Sequence, residues 1–366
     1  MKILITGSEG FIAKNLIEHL KRDESLELYL FSKKDSLNLL KAYVQEVDFI
    51  FHLAGVNRPQ SVEEFYEGNS NLTKVITDTL KDLGKNTPIL LSSSTQAELD
   101  NDYGKSKLEA EELLLEYAKE SSAKVYIYRL PNIFGKWSKP NYNSVIATWC
   151  YNIANDLDIQ VNSRDTVLNL VYIDDVVKSF IGKLNSNNSG YCKVEPVYKK
   201  SLGEIEELLY KFKANRETLV IPNVASGFER ALYATYLSFL PVDKFSYELK
   251  GHKDERGTFY EVLKTIDSGQ ISLSTTAPGV KRGGHYHHTK NEKFLVVKGE
   301  AIIELRHIVT DEKVSYKVSD KKMEVVEMIP GYTHNIKNIG NDELVLVLWA
   351  NENYDDNNPD TYYLEV

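Results

Sequence analysis

Met1-Lys2-Ile3-Leu4-Ile5-Thr6-Gly7-Ser8-Glu9-Gly10-Phe11-Ile12-Ala13 opens the chain, and its reading decides the fold of the N-terminal part. Lys2–Thr6 is a short apolar run of the kind a buried parallel strand requires. Gly7 and Gly10 punctuate a turn, after which Phe11, Ile12, Leu16, Ile17 and Leu20 recur at helical spacing. A glycine turn between strand and helix lets backbone N–H groups approach a pyrophosphate at the positive end of the helix dipole. Ala13 stands where a third glycine is usual, a packing position that tolerates Ala. Further strand-like runs at 26–31, 48–53, 88–93 and 124–129 alternate with helix-length segments. The alternation predicts a Rossmann-type doubly wound parallel sheet that holds a nicotinamide dinucleotide at Gly7, Gly10, Phe11 and Ile12.

The end of the second run bears on the choice of cofactor. NAD-binding chains usually place an acidic residue there for the ribose 2′-OH. This one reads Phe31-Ser32-Lys33-Lys34, a hydroxyl and two ammonium groups that suit a 2′-phosphate, so NADP(H) is expected, with Ser32 and Lys33 as contacts. The alternative is that the lysines are solvated loop residues.

Tyr103-Gly104-Lys105-Ser106-Lys107 opens the next informative helix. Tyr and Lys four apart share a helix face, and a neighbouring ammonium is expected to lower the phenol's pKa toward acid–base use. Just upstream, Leu90-Leu91-Ser92-Ser93-Ser94-Thr95-Gln96 ends a strand in hydroxyls, where a reacting carbonyl oxygen needs a second donor. Tyr-x-x-x-Lys alone is common by chance, and surface pairs are inert. The glycine turn and the serine-tipped strand set this one apart.

With those pieces in place, residues 1–240 resemble the extended short-chain dehydrogenase/reductases that modify nucleotide-sugars. The likeness rests on Thr6-Gly7-x-x-Gly10-Phe11-Ile12, His52-Leu53-Ala54-Gly55, Ser92-Ser93-Ser94, Tyr103-x-x-x-Lys107, Arg129-Leu130-Pro131-Asn132 and Tyr172-Ile173-Asp174-Asp175. The resemblance implies Ser94, Tyr103 and Lys107 as catalytic residues. It places Ala54, Gly55 and Pro131 along the cofactor and Asn132 near the sugar. Family dehydratases carry Asp-Glu after the catalytic hydroxyl residue; here Thr95-Gln96 cannot ionise, which argues against dehydration. The interval from Ser94 to Tyr103 is short, which suggests an open site suited to a reductase that exchanges its cofactor.

After Leu240-Pro241 the pattern changes to apolar/polar alternation at 270–275, 294–297, 301–305, 324–329 and 343–348, as in a β-sandwich or barrel. The expected division is 1–243 for the NAD(P)-binding reductase domain and 244–366 for a metal-binding β domain. Six of the eight histidines lie from His252 onward, a skew that points to a site. His285 and His287 are two apart and so share a strand face; Glu292 returns from the next strand, and His334 follows the Pro330-Gly331 turn. Three imidazoles and a carboxylate suit Zn, Mn, Fe or Ni, with zinc the expected ion. A histidine-rich surface turn is the alternative, and His288 fits that description.

These residues resemble the two cupin motifs, His-x-His-x4-Glu-x6-Gly from His285 to Gly299 and a Pro–Gly–His–Asn pattern through Pro330, Gly331, His334 and Asn338. The second lacks the residue normally found between Pro and Gly. The likeness implies an all-β cupin barrel. Asp254–Glu261 and Gly279–His285 are similar to cupins that epimerise 4-keto-deoxysugar nucleotides, which implies Arg256 and Arg282 as phosphate holders. Taken whole, the chain resembles the CapF-type family of bifunctional capsular polysaccharide enzymes. That family implies C3 epimerisation of a UDP-2-acetamido-2,6-dideoxy-4-keto-hexose in the cupin, then NADPH-dependent reduction of the C4 ketone, on the route to UDP-N-acetyl-L-fucosamine. Rival readings are a single-activity reductase or epimerase with a structural, dimerising cupin, and a non-catalytic cofactor sensor. A homodimer is expected either way.

Composition bounds the remaining options. Hydrophobic residues make up 42% and charged residues 27%, enough to build cores, and no apolar run is long enough to span a bilayer. No basic and apolar leader precedes the first strand, so a cytoplasmic chain beginning at Met1 is expected. Net charge is −9 without a basic block, which argues against a nucleic-acid surface. Cys150 and Cys192 are not spaced as a metal or redox pair.

Overall fold

The five N-terminal apolar runs form strands, four of them buried on both faces and the run 27–31 at the sheet edge with Glu27 and Leu30 exposed. They are β1 (Lys2–Thr6), β2 (Glu27–Phe31), β3 (Phe49–His52), β4 (Ile89–Ser94) and β5 (Val125–Leu130), followed by β6 (Asn132–Phe134), β7 (Val167–Tyr172), β8 (Gly190–Cys192) and β9 (Tyr198–Ser201). The main sheet runs β2-β1-β3-β4-β5-β8 with every pair parallel, while β6-β7-β9 is a small mixed sheet. One apolar layer, with Ile3, Ile5, Phe51 and Tyr128, packs against the helix Phe11–Leu20 and the helix Ile173–Ile181; Leu4, Ile50, Leu91 and Ile127 face the other side. Helices therefore cover both faces, as a doubly wound sheet requires. Strand order reverses at β1 and β3, so a ligand crevice is expected at their C-terminal ends.

The computed structural model describes residues 1–355 and 357–366 and divides into two units, Met1–Tyr210 with Gly227–Pro241, and Lys211–Ser226 with Val242–Val366. In the second unit the alternating pattern yields β10 (Gly251–Asp254), β11 (Gly257–Lys264), β12 (Gln270–Thr276), β13 (Lys281–Tyr286), β14 (Glu292–Lys298), β15 (Glu300–His307), β16 (Lys313–Ser319), β17 (Val325–Met328), β18 (Tyr332–Asn338), β19 (Leu344–Ala350) and β20 (Tyr362–Tyr363). They pair antiparallel in two sheets, β10-β11-β12-β19-β14-β17 and β16-β15-β18-β13-β20. Phe294, Val296 and Leu346 of one sheet share a core with Ile303, Leu305 and Ile336 of the other. The expected barrel thus takes the form of two open sheets packed over one core. Lys211–Ser226 joins this unit through a parallel bridge from Val220 to Lys264 on the edge of β11.

Candidate functional site

The loops after β1 and β3 abut. Gly7 has φ +70°, and a Cβ there would come within 2.8 Å of the Ala54 backbone, so both conformation and space demand glycine. Gly10 donates to the Gly7 carbonyl at 2.8 Å and begins the helix Phe11–Leu20 without a side-chain cap, leaving the helix N-terminus to face the cleft. A buried strut ties the two loops together. Thr6 Oγ1 accepts from Ala54 N at 3.1 Å and meets His52 Nδ1 at 2.7 Å, while His52 Nε2 meets Thr73 Oγ1 at 2.9 Å. Burial, helped by the Lys107 charge, lowers His52 to about 3, so it serves as a neutral link.

Asn69 carries the same ordering to the helix Asp102–Ser121, which bears Tyr103 and Lys107. Its Oδ1 accepts from Val56 N at 3.0 Å, and its Nδ2 donates to Val56 O at 3.1 Å and Ser106 Oγ at 2.9 Å. Lys107 lies one helical turn from Tyr103, is 5% exposed, and donates from Nζ to Ser92 O at 3.1 Å. Burial lowers Lys107 to about 8, against the opposing pull of Glu111. Tyr103 departs from the sequence expectation. Burial raises its phenol above the ordinary value, with a Ser94 hydrogen bond acting the other way, because the Lys107 ammonium is turned to the Ser92 carbonyl.

The short interval before Tyr103 folds as a 3-10 turn over Thr95–Glu98, capped by Ser94 Oγ accepting from Gln96 N at 3.2 Å. Asn101 then caps the Asp102–Ser121 helix through Gly104 N at 2.8 Å, and any Cβ at Gly104 would collide with the Gln96 carbonyl. That lack of space explains the glycine after Tyr103. Ser94, Tyr103, Lys107, Gly7, Gly10, Phe11, Ile12, Ser32, Lys33, Ala54, Gly55, Pro131 and Asn132 all line one cleft of about 1370 Å³.

Two carboxylates here went unread in the sequence. Glu111, 0% exposed, accepts from Ser93 Oγ, from Tyr191 OH at 2.9 Å, and from Arg129 Nε at 3.0 Å and Nη2 at 2.6 Å. It sits one turn beyond Lys107, a spacing that offered a signal. Asp35 accepts from both Ser32 N at 2.7 Å and Ser32 Oγ at 2.9 Å, so the Ser32 donors are occupied; Lys34 pairs with Glu9 at 2.6 Å, and Lys33 faces the cleft.

In the second unit His285, His287, Glu292 and His334 offer ligand atoms that all lie within 4.8 Å of one another. A register slip between Gly283 and His285 sets His285 opposite His334, and the bulge uses φ +99° at Gly283 and +79° at Gly284. Glu292 arrives from β14 in the other sheet. His287 and His334 are 2% and 1% exposed. Glu292 Oε2 approaches His287 Nε2 at 3.4 Å and His334 Nε2 at 3.3 Å, yet none of these three atoms has a hydrogen-bond partner. Burial, then the neighbouring histidines, lowers His285 to about 4, leaving it neutral with a lone pair to give. Buried donors that converge without satisfying each other fit a divalent cation. Arg256 and Arg282 also converge. Arg256 clasps Asp254 Oδ2 at 2.9 and 2.6 Å, and Arg282 Nη2 lies 3.5 Å from Asp254 Oδ1 with Nε and Nη2 unbonded.

Comparison with known proteins gives these sites relatives. The model of the NAD dependent epimerase/dehydratase family matches residues 3–192, and that of the polysaccharide biosynthesis C-terminal domain matches 252–362. The UDP-2-acetamido-2,6-beta-L-arabino-hexul-4-ose reductase of Pseudomonas aeruginosa is 50% identical, covering 100% of this chain and 99% of its own. The crystal structure of the capsular polysaccharide assembling protein CapF from Staphylococcus aureus has a TM-score of 0.93 at 48% identity, covering 100% of both chains. A UDP-glucuronic acid 4-epimerase from Bacillus cereus, solved with NAD, covers 65% of this chain and 98% of its own at TM-score 0.56 and 16% identity, a likeness of fold alone.

Proposed function

The chain belongs to the NAD dependent epimerase/dehydratase family, in the CapF-type form that continues into a polysaccharide biosynthesis C-terminal domain, and on that premise we propose that it is a bifunctional nucleotide-sugar enzyme. Its second unit epimerises C3 of a UDP-2-acetamido-2,6-dideoxy-4-keto-hexose. Its first unit reduces the C4 ketone with NADPH, on the route to UDP-N-acetyl-L-fucosamine for capsular polysaccharide. One observation carries this reading: a single chain holds both the Ser94–Tyr103–Lys107 constellation in a cofactor-sized cleft and four converging ligand atoms in a second unit.

In reduction, the bound dinucleotide supplies the hydride. Tyr103, whose phenol burial keeps protonated, gives its proton to the C4 oxygen; Ser94 donates a hydrogen bond to the same oxygen, and Lys107 holds positive charge beneath them. Thr95 and Gln96 offer no carboxyl for eliminating water. In epimerisation, the C4 ketone acidifies the C3 proton; His285, His287, Glu292 and His334 would hold a divalent cation, which would supply positive charge favouring loss of that proton. Arg256 and Arg282 bind the diphosphate, displacing Asp254 from between them. Reduction destroys the ketone and so makes the epimerisation irreversible. We also take the protein to be a homodimer.

A second reading has its own support. Four protein side chains would leave no position open on a four-coordinate zinc, as in structural zinc sites, which favours a single-activity reductase with a structural metal. Incubation with a 4-keto UDP-sugar and NADPH, with the product read by NMR, separates the two. A C3-inverted, C4-reduced sugar is expected; reduction with C3 configuration retained would leave only the second reading.

A further inference from the structure

Pro359-Asp360-Thr361, a short segment in the C-terminal tail, is bound by several hydrogen bonds to the loop that carries the ligand His287. The Asp360 carboxylate accepts from His288 N at 3.0 Å, Thr289 N at 2.8 Å, Thr289 Oγ1 at 2.9 Å and Lys290 N at 2.8 Å. Lys290, itself buried, returns its Nζ to Pro359 O at 2.8 Å and Thr361 Oγ1 at 3.2 Å. Asp360 adopts φ +38°, a left-handed conformation that costs a side-chain-bearing residue energy. In that conformation its own carbonyl oxygen lies 2.6 Å from His287 Nδ1.

A carbonyl oxygen can only accept, so the proton of neutral His287 must sit on Nδ1, and Nε2 must carry the lone pair. Nε2 is the atom that points at Glu292 and has no hydrogen-bond partner. We propose that Asp360 is a positioning residue for the metal centre: its carboxylate clips the tail onto the 288–290 loop so that its carbonyl locks His287 in the tautomer and orientation that present Nε2 to a divalent cation. The inference rests on the metal reading of the four ligands. It deepens that reading by making the centre depend on a residue more than twenty positions beyond the last ligand in sequence.

The test uses the full-length chain. In metal-free protein labelled with ¹⁵N-histidine, with His287 assigned by comparison with His287→Ala, the wild type should show the Nδ1–H form. Asp360→Ala should mix the two tautomers and weaken zinc binding ~10- to 100-fold, as loss of a partner behind a ligand commonly does. Zinc affinity is read by competition with a chromophoric chelator. Asp360→Ala that keeps the Nδ1–H form and binds zinc as tightly as wild type would overturn the proposal. Should that variant misfold, Asp360→Asn tolerates the left-handed backbone and keeps one acceptor; it should weaken zinc less but still perturb the tautomer, and no change in either would overturn the proposal. Failure of the wild type to bind zinc would sink the metal reading itself, a result distinct from a wild type that binds and a variant that matches it.

Discussion

Tyr103 and Lys107 share a helix face, yet burial acts on them in opposite directions and leaves both protonated forms usable near neutrality. The phenol is held above its ordinary value, and the ammonium persists up to about 8. Donation of a proton to a C4 oxygen needs both forms. kcat/KM for reduction should therefore stay level from neutral pH toward about 8 and fall above it, as Lys107 loses its charge. A rate that climbs through that range would mean a phenolate is the working species. Tyr103→Phe keeps the ring beside Phe65 but removes the proton. NADPH consumption with a 4-keto UDP-sugar should drop by ~10²–10⁴-fold in a chain with an unchanged circular dichroism spectrum, and by less in Ser94→Ala. Near wild-type turnover in Tyr103→Phe would remove Tyr103 from the chemistry.

At the scale of elements, the strand ends decide what the site can hold. Lys33 is the cleft-facing cation of the loop after β2, since Lys34 pairs with Glu9 and Ser32 holds Asp35. NADPH should be preferred over NADH, and Lys33→Ala should lower kcat/KM for NADPH more than for NADH; equal losses would make Lys33 a solvated bystander. Between the Asp102–Ser121 helix and β5, the fully buried Glu111 pairs with Arg129, whose side chain is 25% exposed. Removing one partner leaves a charge without its counterion, so Arg129→Met should cost about 3–5 kcal/mol, roughly 10 °C in melting temperature for a domain of this size. A shift within 2 °C, roughly 0.5–1 kcal/mol on the same scale, would contradict that account. Apolar runs and glycine turns made β1 to β5, the crevice and the Tyr103 helix legible in the sequence, because burial of β1, β3, β4 and β5 on both faces leaves a continuous signal, with β2 a weaker run at the sheet edge. Two-residue alternation singled out His285 and His287 as a strand-face pair, but β13 ends at Tyr286 and His287 lies in the loop beyond it, and the pairing of His285 with His334 depends on the bulge at Gly284, which alternation does not reveal. Asp35, Glu111 and Asp360 were not read. The roles of Glu111 and Asp360 depend on which neighbours tertiary folding delivers, with a local clue for Glu111 in its spacing from Lys107, whereas Asp35 closes a local turn onto Ser32 three residues away. The direction of the Tyr103 shift was missed because spacing places an ammonium on a helix face without saying where it points.

One substrate feature, the C4 ketone, serves both chemistries assigned to the whole molecule, and this makes them separable by experiment. In the proposed function the ketone would acidify C3 for epimerisation and then be consumed by reduction. A chain that loses only the metal centre should keep reducing a substrate already in the epimerised form, because Ser94, Tyr103 and Lys107 draw their order from β4 and the Asp102–Ser121 helix. His287→Ala removes a ligand whose Nε2 faces Glu292. In D2O this variant should fail to exchange the C3 proton of a 4-keto substrate, while NADPH oxidation against the pre-epimerised substrate continues near the wild-type rate. A structural metal gives another pattern, in which a folded His287→Ala exchanges C3 normally, or the variant loses self-association and melts at lower temperature. Normal exchange in a folded, metal-free variant would assign proton removal to a protein base and confine the four ligands to holding the two sheets together. Loss of exchange with reduction intact would establish two active sites in one chain, coupled through the ketone that the second destroys.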